Sequence, residues 1–256
     1  MDLLAIPAFT DNYIWVLHDG GHALVVDPGQ SAPVLDLLKT RGWTLDLILL
    51  THHHADHTGG VDELRQSCAA QVYGPAQENL PQPAQPLREN EQLHWRGLQL
   101  SVLETPGHTA GHLSYVARYG RESCWLFCGD TLFSAGCGRL FEGTPAQMRA
   151  SLDKYGNLPD ATWVCAAHEY TLSNLAFAAA VEPRNADLIQ YQARCQELRS
   201  RHAPTLPSTL GIERRINPFL RSREPNVIAA ALAHGASSGE DASVFGALRQ
   251  WKNDFK

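Results

Sequence analysis

Four separate segments of this sequence share one pattern, in which a short apolar run ends and a histidine or an aspartate follows within a few residues. The runs and the residues that follow them are 47–50 with His52, 102–103 with His108, 126–128 with Asp130, and 163–167 with His168. Short apolar runs bounded by turn residues predict buried β-strands. Strand ends along one edge of a sheet would bring these polar side chains together. The pattern therefore favours a layered fold with one polar edge.

The rest of the first two thirds of the chain alternates strand-like and helix-like segments. Further strands are predicted over residues 13–17, 23–27 and 98–103, and helices over 31–42 and 144–156, each with a proline near its start. The proline-rich segment 75–91 is typical of an exposed loop. Such an alternation predicts an α/β layered domain.

The character of the sequence changes near Thr171, where the strand-like runs stop. The remaining residues are predicted to form helices separated by prolines at 183, 204, 207, 218 and 225. We therefore predict an α/β domain over residues 1–170 and a smaller helical domain over residues 171–256.

Charge and composition restrict the partners and the compartment. A formal net charge of −6 opposes binding to phosphate backbones, so no nucleic-acid partner is expected. No apolar run approaches the ~18 residues of a membrane span, and the N-terminus lacks the basic region of a signal peptide. The 6 cysteines lack CxxC spacing, which fits reduced thiols. We expect a cytoplasmic protein that does not bind membranes.

The densest polar cluster is Thr51-His-His-His-Ala-Asp-His57. In an extended loop, residues i, i+2 and i+4 point to one side. That phase places His52, His54 and Asp56 together, with His57 on the opposite side. One short loop could therefore supply ligands to two neighbouring metal ions.

The number of candidate ligands also indicates two metals. A tetrahedral zinc needs about four ligands, whereas the loop and the other strand ends offer His52, His54, Asp56, His57, His108, Asp130 and His168. Imidazole nitrogens and carboxylate oxygens suit zinc, with iron or manganese as alternatives, while Ca²⁺ or Mg²⁺ would call for oxygen ligands. His53 and His112 lie in the same motifs but out of phase, and we assign them to packing or to hydrogen bonds around the ligands.

The run 51–60 resembles the signature of the metallo-β-lactamase fold superfamily, and Asp27 in Val25-Val-Asp-Pro-Gly29 matches another of its motifs. More narrowly, the segments 105–109, 129–133, 136–144, 167–171 and 216–221 resemble those of the hydroxyacylglutathione hydrolases, also called glyoxalase II. The likeness covers nearly the whole chain. It implies a four-layered αβ/βα sandwich followed by a helical domain that binds substrate.

The resemblance also implies roles for the candidate ligands. One metal would take His52, His54 and His108, the other would take Asp56, His57 and His168, and Asp130 would bridge them. Asp56 and Asp130 would be the catalytic carboxylates. A hydroxide held between the metals would hydrolyse S-(2-hydroxyacyl)glutathione, such as S-D-lactoylglutathione, to glutathione and D-lactate in the second step of methylglyoxal detoxification. The enzyme would be a monomer whose partner is this small thioester.

For the glutathione moiety the resemblance implies contacts from Arg139, Phe141, Tyr170, Arg249 and Lys252. Phe141 stands where some family members have tyrosine, so one hydroxyl contact would be lost. Arg249 and Lys252 are spaced i, i+3, so both could meet one carboxylate from one face of a helix.

Other activities occur on the same fold, because fold alone does not fix function. A dioxygenase of this superfamily would use a single iron and would not need Asp56, His57 and His168. A nuclease would require a basic face, which the net charge of −6 disfavours. A metal-storing protein would bind metal without turnover. The metal count per chain and thioester turnover separate these alternatives.

Overall fold

The structure is a computed structural model that describes residues 1–120 and 123–255. The chain packs as two compact units. The first comprises Met1–Glu104 and Ala110–Gly129, and the second comprises Thr105–Thr109 and the chain from Asp130 onward.

The first unit contains a mixed sheet that follows chain order. Its strands are β1 (Asp2–Ala8), β2 (Asn12–His18), β3 (His22–Val26), β4 (Thr44–Leu49), β5 (Gln71–Pro75) and β6 (Gln85–Leu87), and its helices are α1 (Ala32–Arg41), α2 (Ala55–Thr58) and α3 (Val61–Cys68). The pairs β1/β2 and β2/β3 are antiparallel, and the pairs from β3 to β6 are parallel. Parallel neighbours require crossover connections, which α1 supplies between β3 and β4, and α2 and α3 supply between β4 and β5.

Helix α1 begins and ends at the residues that its sequence predicts. Pro33 lies in its first turn, and Gly42 ends it in the left-handed conformation that glycine adopts without strain. Val34 and Leu38 face inward and pack with Val25 and Ile48 of the sheet. Burial of such aliphatic side chains contributes roughly 1.5–3 kcal/mol each. The predicted helix over 31–42 is confirmed.

The first unit also contains a run of antiparallel strands. These are β7 (Gln92–Trp95), β8 (Leu98–Glu104), β9 (Leu113–Tyr119) and β10 (Ser123–Gly129). Strand β8 alternates buried and more exposed residues, with Leu98, Leu100 and Val102 buried. That period of two is typical of a strand with one face in the core.

The second unit is mainly helical. Its elements are β11 (Leu132–Phe133), β12 (Gly136–Cys137), α4 (Pro145–Asp153), a 3₁₀ turn (Lys154–Asn157), β13 (Trp163–Ala166), α5 (Thr171–Val181), α6 (Ala186–Ser200), β14 (Ser208–Thr209), α7 (Leu210–Ile216), α8 (Pro225–Ala233) and α9 (Asp241–Asp254). Thr144 caps α4 through a reciprocal pair of hydrogen bonds with Gln147, the arrangement called a capping box. As predicted, the later prolines lie outside helix interiors, and Pro225 occupies the first turn of α8.

The prediction of an exposed loop over residues 75–91 is wrong in part. Within that segment Gln85–Leu87 forms β6 and pairs with β5, and Leu80 and Leu87 are buried. Pro86 is tolerated because β6 is an edge strand, where a missing N–H breaks no ladder. The prolines identified turns correctly but concealed a short strand between them.

Candidate active site

The histidine cluster of the first unit begins where β4 ends. The ring atoms Nε2 of His52 and Nδ1 of His54 lie 2.9 Å apart. Helix α2 then starts at Ala55, so the loop is not extended throughout and the predicted alternation fails after His54. The helical turn places Oδ2 of Asp56 3.4 Å from Nε2 of His57. One loop therefore brings together two pairs of atoms that could bind metal.

Asp27 fixes the orientation of this loop. Its Oδ1 accepts a hydrogen bond from the Thr51 backbone N–H over 2.8 Å, and its Oδ2 accepts one from Thr51 Oγ1 over 2.7 Å. The same Oδ2 lies 3.0 Å from Nδ1 of buried His57. A carboxylate on one imidazole nitrogen sets the tautomer and turns the other nitrogen toward a metal. Gly29 is required nearby, because a Cβ there would lie 1.8 Å from the Asp56 carbonyl oxygen.

The two histidines predicted to be out of phase have other neighbours. His53 Nδ1 contacts the carboxylate of Glu78, which also accepts from the His53 backbone N–H over 3.2 Å. His112 is buried and stacks on His52 with ring centroids 5.1 Å apart. Both positions fit the packing and hydrogen-bonding roles expected from their phase.

In the second unit Asp130 lies between two imidazoles. Its Oδ2 is 3.4 Å from Nε2 of His108, and its Oδ1 is 3.4 Å from Nε2 of His168. Nδ1 of His108 lies 2.9 Å from the carbonyl oxygen of Arg139, which orients the ring. These three side chains are buried. One oxygen toward each imidazole is the arrangement expected of a bridging carboxylate.

The spacing of these donor atoms fits metal ligation. Ligands at about 2.0–2.1 Å from a tetrahedral ion lie about 3.3–3.4 Å from one another. The pairs Asp56–His57, Asp130–His108 and Asp130–His168 are each separated by 3.4 Å. Imidazole and carboxylate donors at this spacing suit zinc or iron. Both sets therefore fit divalent metal ions.

The second unit also contains a cavity of about 540 Å³. Its lining includes His108, Asp130, Phe133, Cys137, Arg139, Phe141, Tyr170, Ser173, Asn174, Arg249, Lys252, Asn253 and Phe255. The cavity thus brings together the five residues that the sequence assigned to substrate, beside two of the assigned metal ligands. Tyr170 stacks on His168 with ring centroids 4.7 Å apart, and Phe141 is 62% exposed.

The cations of this cavity are positioned by the protein. Arg249 is only 6% exposed, donates from Nη1 to the carbonyl oxygen of Cys137 over 2.7 Å, and lies 5.2 Å from the Phe219 ring centroid. Lys252 donates to the carbonyl oxygen of Ser173 over 2.9 Å. Burial, together with the charges of Arg249 and Arg139, lowers the pKa of Lys252 to about 8. A surface pair of solvated cations, the ordinary alternative, does not describe Arg249.

Two buried residues near the site were missed by sequence reasoning. Asn12 donates from Nδ2 to Asp56 Oδ2 over 3.0 Å, and Asn174 donates from Nδ2 to the carbonyl oxygen of Ser134 over 3.1 Å. The only signal that could have identified them is a polar residue within an otherwise apolar buried stretch, since buried amides require partners.

Comparison with known proteins places the chain in a family. The metallo-beta-lactamase superfamily model matches residues 8–168, and the model of the hydroxyacylglutathione hydrolase C-terminus matches residues 169–255. A hydroxyacylglutathione hydrolase from Albidiferax ferrireducens is 57% identical over 255 residues, which cover 100% of both chains. This chain belongs to the hydroxyacylglutathione hydrolase family. The sequence resemblance and the predicted hydrolase activity are thereby confirmed.

Solved structures agree on the fold of this hydroxyacylglutathione hydrolase family member. ETHE1 from Myxococcus xanthus aligns with a TM-score of 0.67 at 22% identity, covering 98% of this chain and 90% of that chain. TTHA1623, solved in a di-iron-bound form, aligns with a TM-score of 0.60 at 25% identity, covering 86% of this chain and 100% of that chain. The predicted metallo-β-lactamase fold with a C-terminal helical region is confirmed, and its histidine and aspartate clusters support two metal ions. In the described part of the chain, no helix is long and apolar enough to cross a membrane.

Proposed function

We propose that this chain hydrolyses S-(2-hydroxyacyl)glutathione thioesters, including S-D-lactoylglutathione, to glutathione and a 2-hydroxy acid such as D-lactate. This is the second step of methylglyoxal detoxification. The observation that carries the proposal is the cavity that joins His108 and Asp130 to the cations Arg139, Arg249 and Lys252. Glutathione has two carboxylates that could pair with these cations. Its thioester would then lie near His108 and Asp130.

In this proposal the metal ligands follow the assignment made from sequence. His52, His54 and His108 would hold one ion, Asp56, His57 and His168 would hold the other, and Asp130 would be shared by both. Zinc is our choice of metal, with iron or manganese as alternatives, because the donor set is imidazole and carboxylate. Bound there, two divalent ions would lower the pKa of a water from about 15.7 towards about 7, and so provide hydroxide at neutral pH.

The chain's own residues position and release the reacting groups. Asp56 and Asp130 would act as the catalytic carboxylates through their place in the ligand set, and Asn12 holds Asp56 in place through its 3.0 Å hydrogen bond. Hydroxide adds to the acyl carbon, the C–S bond breaks, and sulfur retains the electron pair. Because the thiol has a pKa of about 8.5, the thiolate can leave without a proton from the protein.

Arg249 and Lys252 are proposed to bind a glutathione carboxylate, with Arg139 and Tyr170 on the same moiety. Within the described residues, the buried Nε of Arg249 has no hydrogen-bond partner. Arg249 nevertheless lines the cavity, so its positive charge lies beside the space that a carboxylate would fill. Phe141, at the exposed rim, offers the same moiety an apolar contact where a tyrosine would add a hydroxyl.

The decisive experiment is hydrolysis of S-D-lactoylglutathione by protein whose metal content has been measured. We expect two metals per chain, release of free thiol, and no turnover of nitrocefin or of glutathione persulfide. Persulfide oxidation by a protein with one iron would instead support the dioxygenase. Full metal occupancy without turnover of any thioester would support metal storage.

The proposal also covers the division into domains, the compartment and the oligomeric state. We propose that residues 1–170 form the catalytic domain, that residues 171–256 form a helical domain that contributes substrate contacts, and that the protein is a cytoplasmic monomer. In the part of the chain that the structure describes, the cysteines form no disulfide, which suits a reducing compartment. Size-exclusion chromatography with light scattering would test the monomer.

A further inference from the structure

The segment 216–221 is one of those that resemble the family in sequence, yet none of the proposed ligand or substrate roles falls on it. Helix α7 leads into this segment, and its residue Glu213 is completely buried. A glutamate is almost never fully buried unless it is paired or hydrogen bonded. Glu213 therefore has a structural task that the mechanism has not used.

Both carboxylate oxygens of Glu213 accept hydrogen bonds. Oε1 accepts from the hydroxyls of Ser134 and Ser208, over 2.8 Å and 2.6 Å. Oε2 accepts from the backbone N–H of Ala135 over 2.8 Å and from Nδ2 of Asn217 over 3.2 Å. An ionised carboxylate has about four acceptor sites, so these contacts use its full capacity. Burial raises the pKa of Glu213, and the four hydrogen bonds oppose that shift.

Two of these donors, Ser134 and Ala135, form the turn of the hairpin built by β11 and β12. Ala135 has a φ of 55°, in the left-handed region that residues other than glycine rarely adopt. Such a conformation persists only where the surroundings enforce it. Asn217 reinforces the turn, because Nδ2 shares its two hydrogens among the carbonyl oxygens of Phe133 and Gly136, each at 3.0 Å, and the more distant Glu213 carboxylate.

The hairpin forms part of the substrate cavity. Phe133 and Cys137 line it, and Asp130 lies two residues before β11. The carbonyl oxygen of Cys137 accepts the 2.7 Å hydrogen bond from Arg249 Nη1. A shift of the hairpin would therefore move the anchor of a buried cation. Glu213 itself does not line the cavity.

We propose that Glu213 is a positioning residue for the glutathione moiety, because its buried carboxylate holds the Ser134–Ala135 turn and thereby the anchor of Arg249. The identity of the ligand rests on the proposed function, whereas the effect on the hairpin does not. The role is geometric, so an amide of the same size should largely replace the carboxylate: it can still accept from Ala135 and Asn217, and the serine hydroxyls can turn to accept from it.

The test compares Glu213→Ala with Glu213→Gln. We expect Glu213→Ala to raise KM for S-D-lactoylglutathione about tenfold, as for loss of one charge-assisted contact, with kcat and metal content unchanged. Glu213→Gln should keep KM within about threefold of the wild-type value, because neutral hydrogen bonds from the amide replace most of the contacts that the carboxylate makes. Hydrogen exchange of residues 132–137 should be faster in Glu213→Ala and near normal in Glu213→Gln.

Ser134→Ala and Ser208→Ala provide a matched pair, because both hydroxyls donate to the same oxygen of Glu213 but only Ser134 belongs to the hairpin. These two serine variants also test the proposal if Glu213→Ala does not fold. We expect a raised KM and faster exchange at residues 132–137 in Ser134→Ala alone. Equal effects of the two serine variants, or a folded Glu213→Ala with wild-type KM, would overturn the proposal.

The proposed function and this inference can fail separately. If the wild-type protein does not hydrolyse S-D-lactoylglutathione, the proposed function is wrong, and the same variants are compared by calorimetric affinity for S-methylglutathione. Weaker binding in Glu213→Ala and Ser134→Ala, with hairpin exchange accelerated, would still support positioning. Unchanged binding in all variants, or no binding to the wild type, would overturn it.

Discussion

Asn12 donates a hydrogen bond from Nδ2 to Oδ2 of Asp56 over 3.0 Å, although 44 residues separate them in the chain. The amide is buried, and its Nδ2 also lies 3.4 Å from the Asp56 carbonyl oxygen. The Asp56 side chain is 42% exposed, and its Oδ2 also lies 3.4 Å from Nε2 of His57. Asn12 therefore helps to order a proposed ligand from outside the ligand set.

The first prediction is that Asn12→Ala weakens metal binding. Loss of a partner that orients a ligand typically costs 10–100-fold in metal affinity, so we expect roughly that change. Competition with a chromophoric chelator measures it, and Asn226→Ala, on the exposed surface of α8, is the control. An affinity equal to that of the wild type would show that Asp56 needs no outside support.

The second prediction concerns the bridge. Asp130→Asn should remove most activity and lower the metal content from two towards one, because an amide has one oxygen and cannot serve two cations as a carboxylate does. Elemental analysis and thioester turnover provide the measurements, with exposed Asp36→Asn as the control. Two metals and normal turnover in Asp130→Asn would exclude the bridging role.

The third prediction is that His53→Asn retains both metals and most activity. His53 faces Glu78 and its side chain is 33% exposed, so removal of the imidazole takes no atom from the proposed ligand set. His54→Asn is the matched comparison one residue along and should lower the metal content. Loss of a metal from His53→Asn would mean that the ligands of this loop are assigned wrongly.

The fourth prediction is a pH dependence of substrate affinity that originates from Lys252. Its pKa is lowered to about 8, chiefly by burial and then by the Arg249 and Arg139 charges, so the ammonium is charged below that pH and neutral above it. KM for the glutathione thioester should therefore rise as pH increases through about 8. Lys252→Arg stays charged, because arginine titrates above about 12, and should show a flatter profile. Identical pH profiles of KM in the wild type and in Lys252→Arg would show that another group causes the pH dependence.

The strand-end pattern predicted correctly that four of the candidate ligands follow the ends of strands, for a physical reason. Apolar runs must be buried, and their ends fix where the following residue lies, so His52, His108, Asp130 and His168 could be placed from sequence alone. The rotation of a side chain inside a loop is not fixed in this way. Helix α2 interrupts the extended phase after His54, and the sequence run carries no helical period long enough to reveal a single turn.

Residues that support the site from a distance could not be predicted. Asn12 and Glu213 act on residues 44 and 78 positions away, over contacts that only the folded chain creates. A single buried amide or carboxylate has no periodicity and resembles a surface residue in sequence. The family resemblance supplied Arg249 and Lys252, which helical spacing alone would leave as a solvated surface pair.

The last prediction is that Arg249 controls substrate binding and leaves the chemistry intact. Its guanidinium is buried, lines the cavity and is anchored on Cys137, but it is not among the proposed metal ligands. A charge-assisted contact to a carboxylate contributes about 1.5–3 kcal/mol, so Arg249→Ala should weaken binding roughly ten- to hundredfold. If the contact is equally strong in the ground and transition states, KM rises while kcat is unchanged.

Steady-state kinetics with S-D-lactoylglutathione measure the effect of Arg249→Ala, alongside metal analysis and hydrolysis of a small neutral thioester. Arg201→Ala is the control, since Arg201 pairs with Glu197 on the exposed surface of the same unit. A slower reaction with the small thioester, or an unaltered KM for the glutathione substrate, would remove Arg249 from the recognition of glutathione.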